Sequence, residues 1–581
     1  MKAPFVKVTP LFWACGPLAA LAVFVVPFWF PGSVPQLSLS YAAGYSNRAA
    51  VLGVMAVAAL ALLAAWFSDL QSADTPEVDT RKFGFGWFIL AAFVSLLYLV
   101  PEQILAFPIP RYFRESAYFL PQMERILRFG DMPYRDFEFA YGPLLAYLPA
   151  SLASVVRPAE AAYYFAIDLT MIAGLWMLWS AIAWLEFSTT WKICIYAILT
   201  SCVLNPSLGM NYTMLRFAVA IWLLTRVMAT GGGWVAMAGG SILAWGVSPE
   251  AGVGFTVAAG VYLAGSKRWV RVAALTLGPL LILLLFGPNC FDSLFRFSGG
   301  FFNFVIPPAP YILVYLAVLV WVIPAGLARI PRPETFAMAG LALVYLSPTL
   351  GRCDPGHVIL NGIPAFLLGL VVLPKQFGTT YLATLGLLFG VGMHLNREAG
   401  HLALLPPAMY YRERWTKSQD QLLATMSKSD RAEVKPIFDR LEKDLLPSDY
   451  PELKGLHNIA TPFYTDKYLN SYLMASGTGL RDYYTWTIDI SDIQGMRQKI
   501  AALDRAEWVV MDIEECCWVD TPESIADGVM FPVTYSIKRP MFEPSTQVRD
   551  AVLQQFESVR QFGRYRLYGR RTRTDRPAPA L

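Results

Sequence analysis

Apolar runs long enough to be membrane helices recur at 11–30, 49–68, 85–104, 161–184, 191–207, 212–229, 234–247, 251–265, 272–287, 310–329, 336–348, 357–374 and 379–395. About 20 such residues, rising about 1.5 Å each, span the ~30 Å hydrocarbon core of a bilayer, and a shorter run can still contribute. Lipid offers no hydrogen-bond partner to the backbone, so runs of this kind must be helical. The pattern therefore predicts a polytopic α-helical membrane protein of about thirteen spans. With 55% hydrophobic and 15% charged residues, the chain is far oilier than a soluble domain, in which about 25% of residues are charged.

One further apolar run, 142–156, tests the topology. The N-terminus carries Lys2 and Lys7 ahead of its first apolar run, as a signal peptide does, but no convincing small-residue cleavage site follows and more spans do. With that end in the cytoplasm, loop 69–84, containing Arg81 and Lys82, is also cytoplasmic. If 142–156 crossed the membrane, Lys267, Arg268, Arg271, Arg329 and Arg332 would all fall outside. If it lies along the outer interface, they fall inside with Lys192, Arg226 and Lys375. The second arrangement predicts one large external loop at 105–160, with a short helix at 116–128 whose Phe119, Leu120, Met123 and Leu127 share a face.

Beyond about residue 400 charge rises and no span follows, so the remainder reads as a water-soluble domain on the outer side. A helix at 493–505, a strand at 506–513 and a last strand at 564–570 mark it as α/β, with a Pro-rich tail.

This topology gathers polar segments on the outer face: 105–160, 205–216, 247–250, 288–309 and 349–357. The cytoplasmic loops carry basic residues and little else. Glu115, Asp136 and Glu138 are candidate bases, and Arg216, Arg352 and His357 are candidate cations or donors. A carboxylate that takes a hydroxyl proton, opposite cations that stabilise a leaving phosphate, outlines a group transfer. A lipid-linked phosphosugar suits that depth. Each residue also has a plainer reading. Glu115 can favour a helix N-terminus. Asp136 and Glu138 can pair with Arg135, and Tyr134 and Tyr141 can be interface aromatics. Arg216 can snorkel from a span end, Glu250 can cap a helix after Ser248-Pro249, and Asp354-His357 can be a structural turn.

Residues 133–150, PYRDFEFAYGPLLAYLPA, resemble the first external loop of membrane glycosyltransferases of the GT-C superfamily, in particular the bacterial ArnT/mannosyltransferase-like group. Segments 205–216, NPSLGMNYTMLR, and 351–368, GRCDPGHVILNGIPAFLL, resemble later motifs of that superfamily. The resemblance covers about 85–395. It implies a membrane transferase that moves a sugar from a polyprenyl-phosphate donor, usually with inversion, to a glycan, lipid or protein acceptor outside the cytoplasm. Residues 1–84 then form two added spans and a cytoplasmic loop, 85–395 the catalytic module, and 396–581 a periplasmic domain at a bacterial inner membrane. The resemblance puts a loop acid at the acceptor and basic residues at the donor phosphate, with Tyr212 and Asp354 orienting it. Many members begin the loop with Asp-Glu where this chain has Arg114-Glu115, so Asp136 and Glu138 stand beside Glu115 as alternatives. No Asp-x-Asp follows in the second loop, so a divalent metal is not supported and no cofactor is expected.

Two other classes remain. A flippase of lipid-linked glycans predicts paired repeats and ionisable residues deep in the spans, whereas these spans read as nearly free of charge at their centres. A non-catalytic envelope scaffold predicts dispensable loop acids. The small net charge of +4 and the lack of a Lys/Arg block give no sign of nucleic-acid binding. The seven cysteines have no metal-like spacing.

Overall fold

The computed structural model describes residues 9–30, 40, 44–68, 83–106, 114–204, 212–288, 290–291, 305–351, 353, 355–373, 375–395, 450–463, 467–482, 493–512, 524–530, 533–539, 543–562 and 565–571. Helices are α1 Pro10–Phe24, α2 Asn47–Trp66, α3 Gly86–Ala106, α4 Arg114–Phe129, α5 Leu144–Ala153, α6 Ala159–Ala183, α7 Thr189–Thr200, α8 Thr213–Thr230, α9 Trp234–Val247 and α10 Pro249–Gly265. They continue as α11 Leu277–Phe286, α12 Pro310–Ala317, α13 Ile323–Arg329, α14 Pro333–Gly351, α15 Pro355–Asn361, α16 Ile363–Val372 and α17 Lys375–Leu395.

Helix occupies most of the described part of every run read as a span. Five stretches among the described residues are both long and apolar enough to cross a membrane: Pro10–Phe28, Asn47–Trp66, Ala159–Ala183, Trp269–Phe286 and Pro310–Arg329. The other runs are shorter or broken. Residues 357–374 divide into α15 and α16, and Pro364 in the first turn of α16 cannot donate a hydrogen bond back into α15. The stretch Pro310–Arg329 passes through a π-helical turn at Val318–Val322 just before Pro324, where the same missing donor must be absorbed.

The bundle shares one apolar core running from Phe12 to Phe389. Helices α1 and α2 join it through the π-helical turn and α14: the Trp321 indole donates to the Phe12 carbonyl at 3.1 Å, and the Asn47 amide donates to Leu350 at 2.9 Å. Helix α5, which covers the run 142–156, has 10 residues. That is about 15 Å, half a hydrocarbon core, and it packs against α4 and α6.

The two ends of the bundle differ chemically. At one, Arg268 and Arg271 donate to the Gly231 carbonyl and Arg226 to Ser180 at 2.6 Å, while Lys192 donates to Ala183 at 2.8 Å. At the other, the Gly142 amide donates to the Val247 carbonyl at 3.0 Å and Arg216 meets Glu250. The spans are not as free of charge as the sequence reading holds. Asp168 lies well inside α6 and accepts from the Gln103 amide of α3 at 2.7 Å. A hydrogen-bonded partner from a neighbouring helix is the usual way such a group is tolerated in lipid.

After the bundle, a four-stranded sheet forms in the order β1-β2-β6-β5, with β1 Ile459–Ala460, β2 Trp508–Asp512, β5 Phe556–Phe562 and β6 Tyr565–Arg570. β1 runs parallel to β2, and the remaining pairs are antiparallel. A separate hairpin joins β3 Ser524–Met530 and β4 Val533–Arg539. Helices α18 Lys467–Ser476, α19 Ile493–Leu503 and α20 Glu543–Gln555 complete this unit. Side chains alternate across a strand, so Val509 and Met511 enter one apolar cluster while Val510 enters another on the opposite face. Two buried faces explain why the sequence around β2 reads as one continuous apolar run. The loops expected at 69–82, 205–211 and 292–304, the start of the soluble domain at 396–449 and the 576–581 tail lie outside the described residues.

Candidate functional site

Helix α4 appears where the sequence predicts it, but its buried face differs. Phe119, Leu120 and Met123 are buried, whereas Leu127 is 38% exposed and Gln122 and Arg125 are buried instead. The helix is covered on two sides, by the bundle and by the C-terminal unit. The face toward the bundle ends in Phe119, whose ring centroid lies 5.6 Å from Tyr141, 5.9 Å from Tyr163 and 5.6 Å from Tyr212.

After α4 the chain makes a tight turn at Pro133–Phe137. Tyr134 takes the left-handed conformation at φ 68, which costs a bulky residue energy and must be held by its surroundings. Its amide donates to Phe137 at 2.8 Å, its hydroxyl donates to the Tyr141 carbonyl, and its ring meets Phe286 edge-on. Tyr134 is thus a buried anchor rather than an interface aromatic, and burial pushes its hydroxyl well above the usual tyrosine range. Asp136 closes the same turn, accepting from the Met132 amide at 2.8 Å and pairing with Arg135 at 2.8 Å. Partial burial raises its pKa, but the Arg135 hydrogen bond and the Met132 amide outweigh it, so Asp136 titrates below the usual aspartate range. Its ionised form therefore stabilises the turn above the unfolded-state pKa of about 3.9, and that contribution disappears as pH falls through the lower folded value. Asp136→Asn should cost about 1 kcal/mol or less at neutral pH and progressively less as pH falls through the folded value, as thermal melts over an acid pH series will report.

Glu138 is 1% exposed. Its carbonyl accepts from Gln122 at 2.9 Å, and its charge acts on Lys499 of the C-terminal unit. Glu115 occupies the first turn of α4, one turn before Phe119, and its side chain lies outside the described set. Arg352 and Asp354 lie outside the described residues. His357 is half-buried in α15, which packs against α12, α14 and α17.

The described residues of segments 205–216 and 247–250 meet the first loop. Tyr212 is the N-cap of α8, and Arg216 stands in that helix's first turn. Ser248 caps α10 by accepting from the Ala251 amide at 3.1 Å. The cap is therefore Ser248, and Glu250 is left to face Arg216, with 3.4 Å between Nη2 and Oε1. The guanidinium lies 4.4 Å from the centre of the Tyr141 ring. The Tyr345 hydroxyl of α14 donates to the Arg216 carbonyl at 3.5 Å. Among the described residues, Arg216 Nε, Glu250 Oε2 and the Tyr212 hydroxyl are all buried and have no hydrogen-bond partner. Buried polar atoms left unpaired cost about 1–3 kcal/mol each, so three in one neighbourhood make this a candidate place for a polar ligand or water. The N-termini of α8 and α10 both present positive dipole ends there, which with the Arg216 guanidinium favour an anion, while the Glu250 carboxylate opposes one.

Sequence reasoning singled out Arg216 and Tyr212 as site residues and missed Glu250, Tyr141 and Tyr345 as their partners. The signal for Glu250 was its place opposite Arg216 on a loop predicted to share the outer face. The loop acids Asp136 and Glu138 are instead engaged in the turn and beneath the C-terminal unit. A cavity of about 200 Å³ lies at that seam, between α4 and residues such as Thr461, Asn470 and Arg481.

Gly142 sets the spacing between Tyr141 and the turn that carries Glu250. A Cβ there would run into the Gly246 carbonyl and lie 2.6 Å from that of Trp245. Neither neighbour is a side chain that can swing away. Gly142→Ala should therefore lower stability by about 2–3 kcal/mol, the cost of overpacking, and should weaken any ligand held between Arg216 and Glu250. Melting temperature and ligand titration check both effects.

No protein-family model matches the chain, and no curated protein matches it. Among solved structures it is similar to the crystal structure of ArnT from Cupriavidus metallidurans bound to undecaprenyl phosphate, at 13% identity and a TM-score of 0.42, covering 85% of this chain and 100% of that one. It is also similar to the apo form of the same protein, at 14% identity and a TM-score of 0.39, covering 83% of this chain and 97% of that one.

Proposed function

We propose that the protein is an integral-membrane glycosyltransferase that takes a sugar from a polyprenyl-phosphate donor and passes it to an envelope glycan, lipid or protein acceptor outside the cytoplasm. The observation that carries this reading is the set of three buried atoms, Arg216 Nε, Glu250 Oε2 and the Tyr212 hydroxyl, that have no hydrogen-bond partner among the described residues. Arg216 Nε suits a phosphate oxygen, and the guanidinium forms charge-assisted bonds to it. Glu250 Oε2 suits a hydroxyl of the sugar, and Tyr212 offers a further donor. Arg352 and His357 are the remaining candidates for the phosphate, with Asp354 orienting it.

In the reaction, an acceptor oxygen or nitrogen attacks the anomeric carbon. The bond from that carbon to the phosphate oxygen breaks, and its electron pair leaves with the polyprenyl phosphate. Arg216 stabilises the charge that develops there. A loop carboxylate takes the acceptor's proton. Glu115 is the first candidate for that base, and Asp136 and Glu138 are the alternatives. The engagement of Asp136 in its turn and of Glu138 opposite Lys499 supports Glu115. In this reading the N-terminus is cytoplasmic, the C-terminal unit periplasmic, and the membrane a bacterial inner membrane. Residues 1–84, 85–395 and 396–581 are the added spans, the catalytic module and the soluble domain.

The test is mass spectrometry of envelope glycans from cells with and without the protein, repeated with Glu115→Ala, Asp136→Ala and Glu138→Ala. A sugar missing without the protein supports the reading. If no glycan changes, or if all three variants retain full activity, the assignment of a transferase to this loop fails.

A further inference from the structure

The C-terminal unit is tied to α4 by a mostly buried ionic network. The Asp131 carboxylate is fully buried and shared by two arginines: Arg125 of α4, at 2.7 Å, and Arg481 of the C-terminal unit. Arg125 also donates to the Asp482 carbonyl at 2.6 Å. Lys499 pairs with the Asp482 side chain at 2.9 Å and donates to Thr461 at 3.2 Å. Burial holds Lys499 below the usual lysine range, although Asp482 and Glu138 pull it the other way. Arg481 lies over the Phe129 ring at 5.3 Å, and α18 packs against α4. Groups this desolvated are stable only while every partner is present.

The two faces of α4 therefore do different jobs. Arg125 and Phe129 hold the C-terminal unit. Phe119, two turns earlier, wedges among Tyr141, Tyr163 and Tyr212, and Tyr141 in turn lies under the Arg216 guanidinium. We propose that Arg481 is a positioning residue for the Arg216 site, acting through Asp131 and α4, so that docking of the C-terminal unit sets the geometry in which the anion is held. This rests on the proposed function only for the identity of the anion. The mechanical link is a separate claim.

Hydrogen exchange on the full chain in nanodiscs tests the link without any ligand. Arg481→Glu should speed exchange about fivefold or more in 114–129 and also in 139–147, because local opening spreads through packed neighbours. Arg481→Lys, which keeps the charge opposite Asp131, should stay near wild type in both. Arg481→Met serves if the reversal fails to accumulate, since 55% of this side chain is exposed. Titration with a polyprenyl phosphate should show about tenfold weaker binding by Arg481→Glu, or by Arg481→Met in its place, and near-normal binding by Arg481→Lys. The proposal is overturned if 114–129 loosens while 139–147 does not, if neither changes, or if Arg481→Lys behaves like the reversal. If the wild type binds no polyprenyl phosphate, the functional reading fails, and the exchange data still decide the link.

Discussion

Arg216→Met is expected to lower kcat/KM for sugar transfer by about 10²–10³-fold, the usual cost of removing one donor that stabilises charge in a transition state. The shape of the side chain is largely kept, but the phosphate loses its bonding partner. A second effect has to be separated from this one. Glu250 would be left buried without its cation, and breaking one side of a buried pair costs about 3–5 kcal/mol of stability. The double variant Arg216→Met, Glu250→Gln removes both charges. Its melting temperature should recover toward wild type while its transfer rate stays at the level of Arg216→Met. A double variant that regains activity along with stability would mean that Arg216 supports the fold alone.

Glu250→Gln should separate binding from turnover. The glutamine carbonyl can still accept from Arg216, but the negative charge beside the anion site is gone. Like charges about 6 Å apart repel by 1–3 kcal/mol at the effective dielectric of a protein boundary, so a polyprenyl phosphate should bind roughly tenfold more tightly. Transfer should nonetheless fall about 10–100-fold, because Oε2 no longer accepts from the sugar. A variant that binds the lipid more weakly and turns over normally would place Glu250 outside the site. Measuring the dissociation constant and kcat on the same preparation distinguishes the two.

Much of the helical framework was legible in the sequence because lipid permits so few structures. Each apolar run became helix, and the basic residues near 226–232 and 266–271 gathered at the end opposite Arg216. What hydropathy could not supply was where a run breaks, since Pro324 and Pro364 cost the count little and the helix a hydrogen bond. It also passed over Asp168, because one carboxyl barely lowers the mean of a 25-residue helix. The C-terminal helix at 493 and strands at 508 and 565 were readable from local pattern. β1 was not, because two residues become a strand only through pairing with β2.

The site was half legible. Charge and depth pointed to Arg216, and the family resemblance to Tyr212, both near the N-terminus of α8. The same reasoning favoured Asp136 and Glu138 because they were acids on the right loop. It could not anticipate that a unit more than 300 residues later would pack against α4, bring Arg481 to Asp131 and set Lys499 in the field of Glu138. Glu250 was weighed as a cap because it follows Ser248-Pro249, and a cap and a ligand look alike until the opposing helix is placed.

The most direct test of the central claim is a structure of the full chain in a nanodisc with a polyprenyl phosphate bound. The account predicts a phosphate oxygen about 2.8 Å from Arg216 Nε, with Tyr141 still stacked on the guanidinium. A headgroup bound at the opposite end of the bundle, near Arg268 and Arg271, with Arg216 Nε still unpartnered, would contradict it.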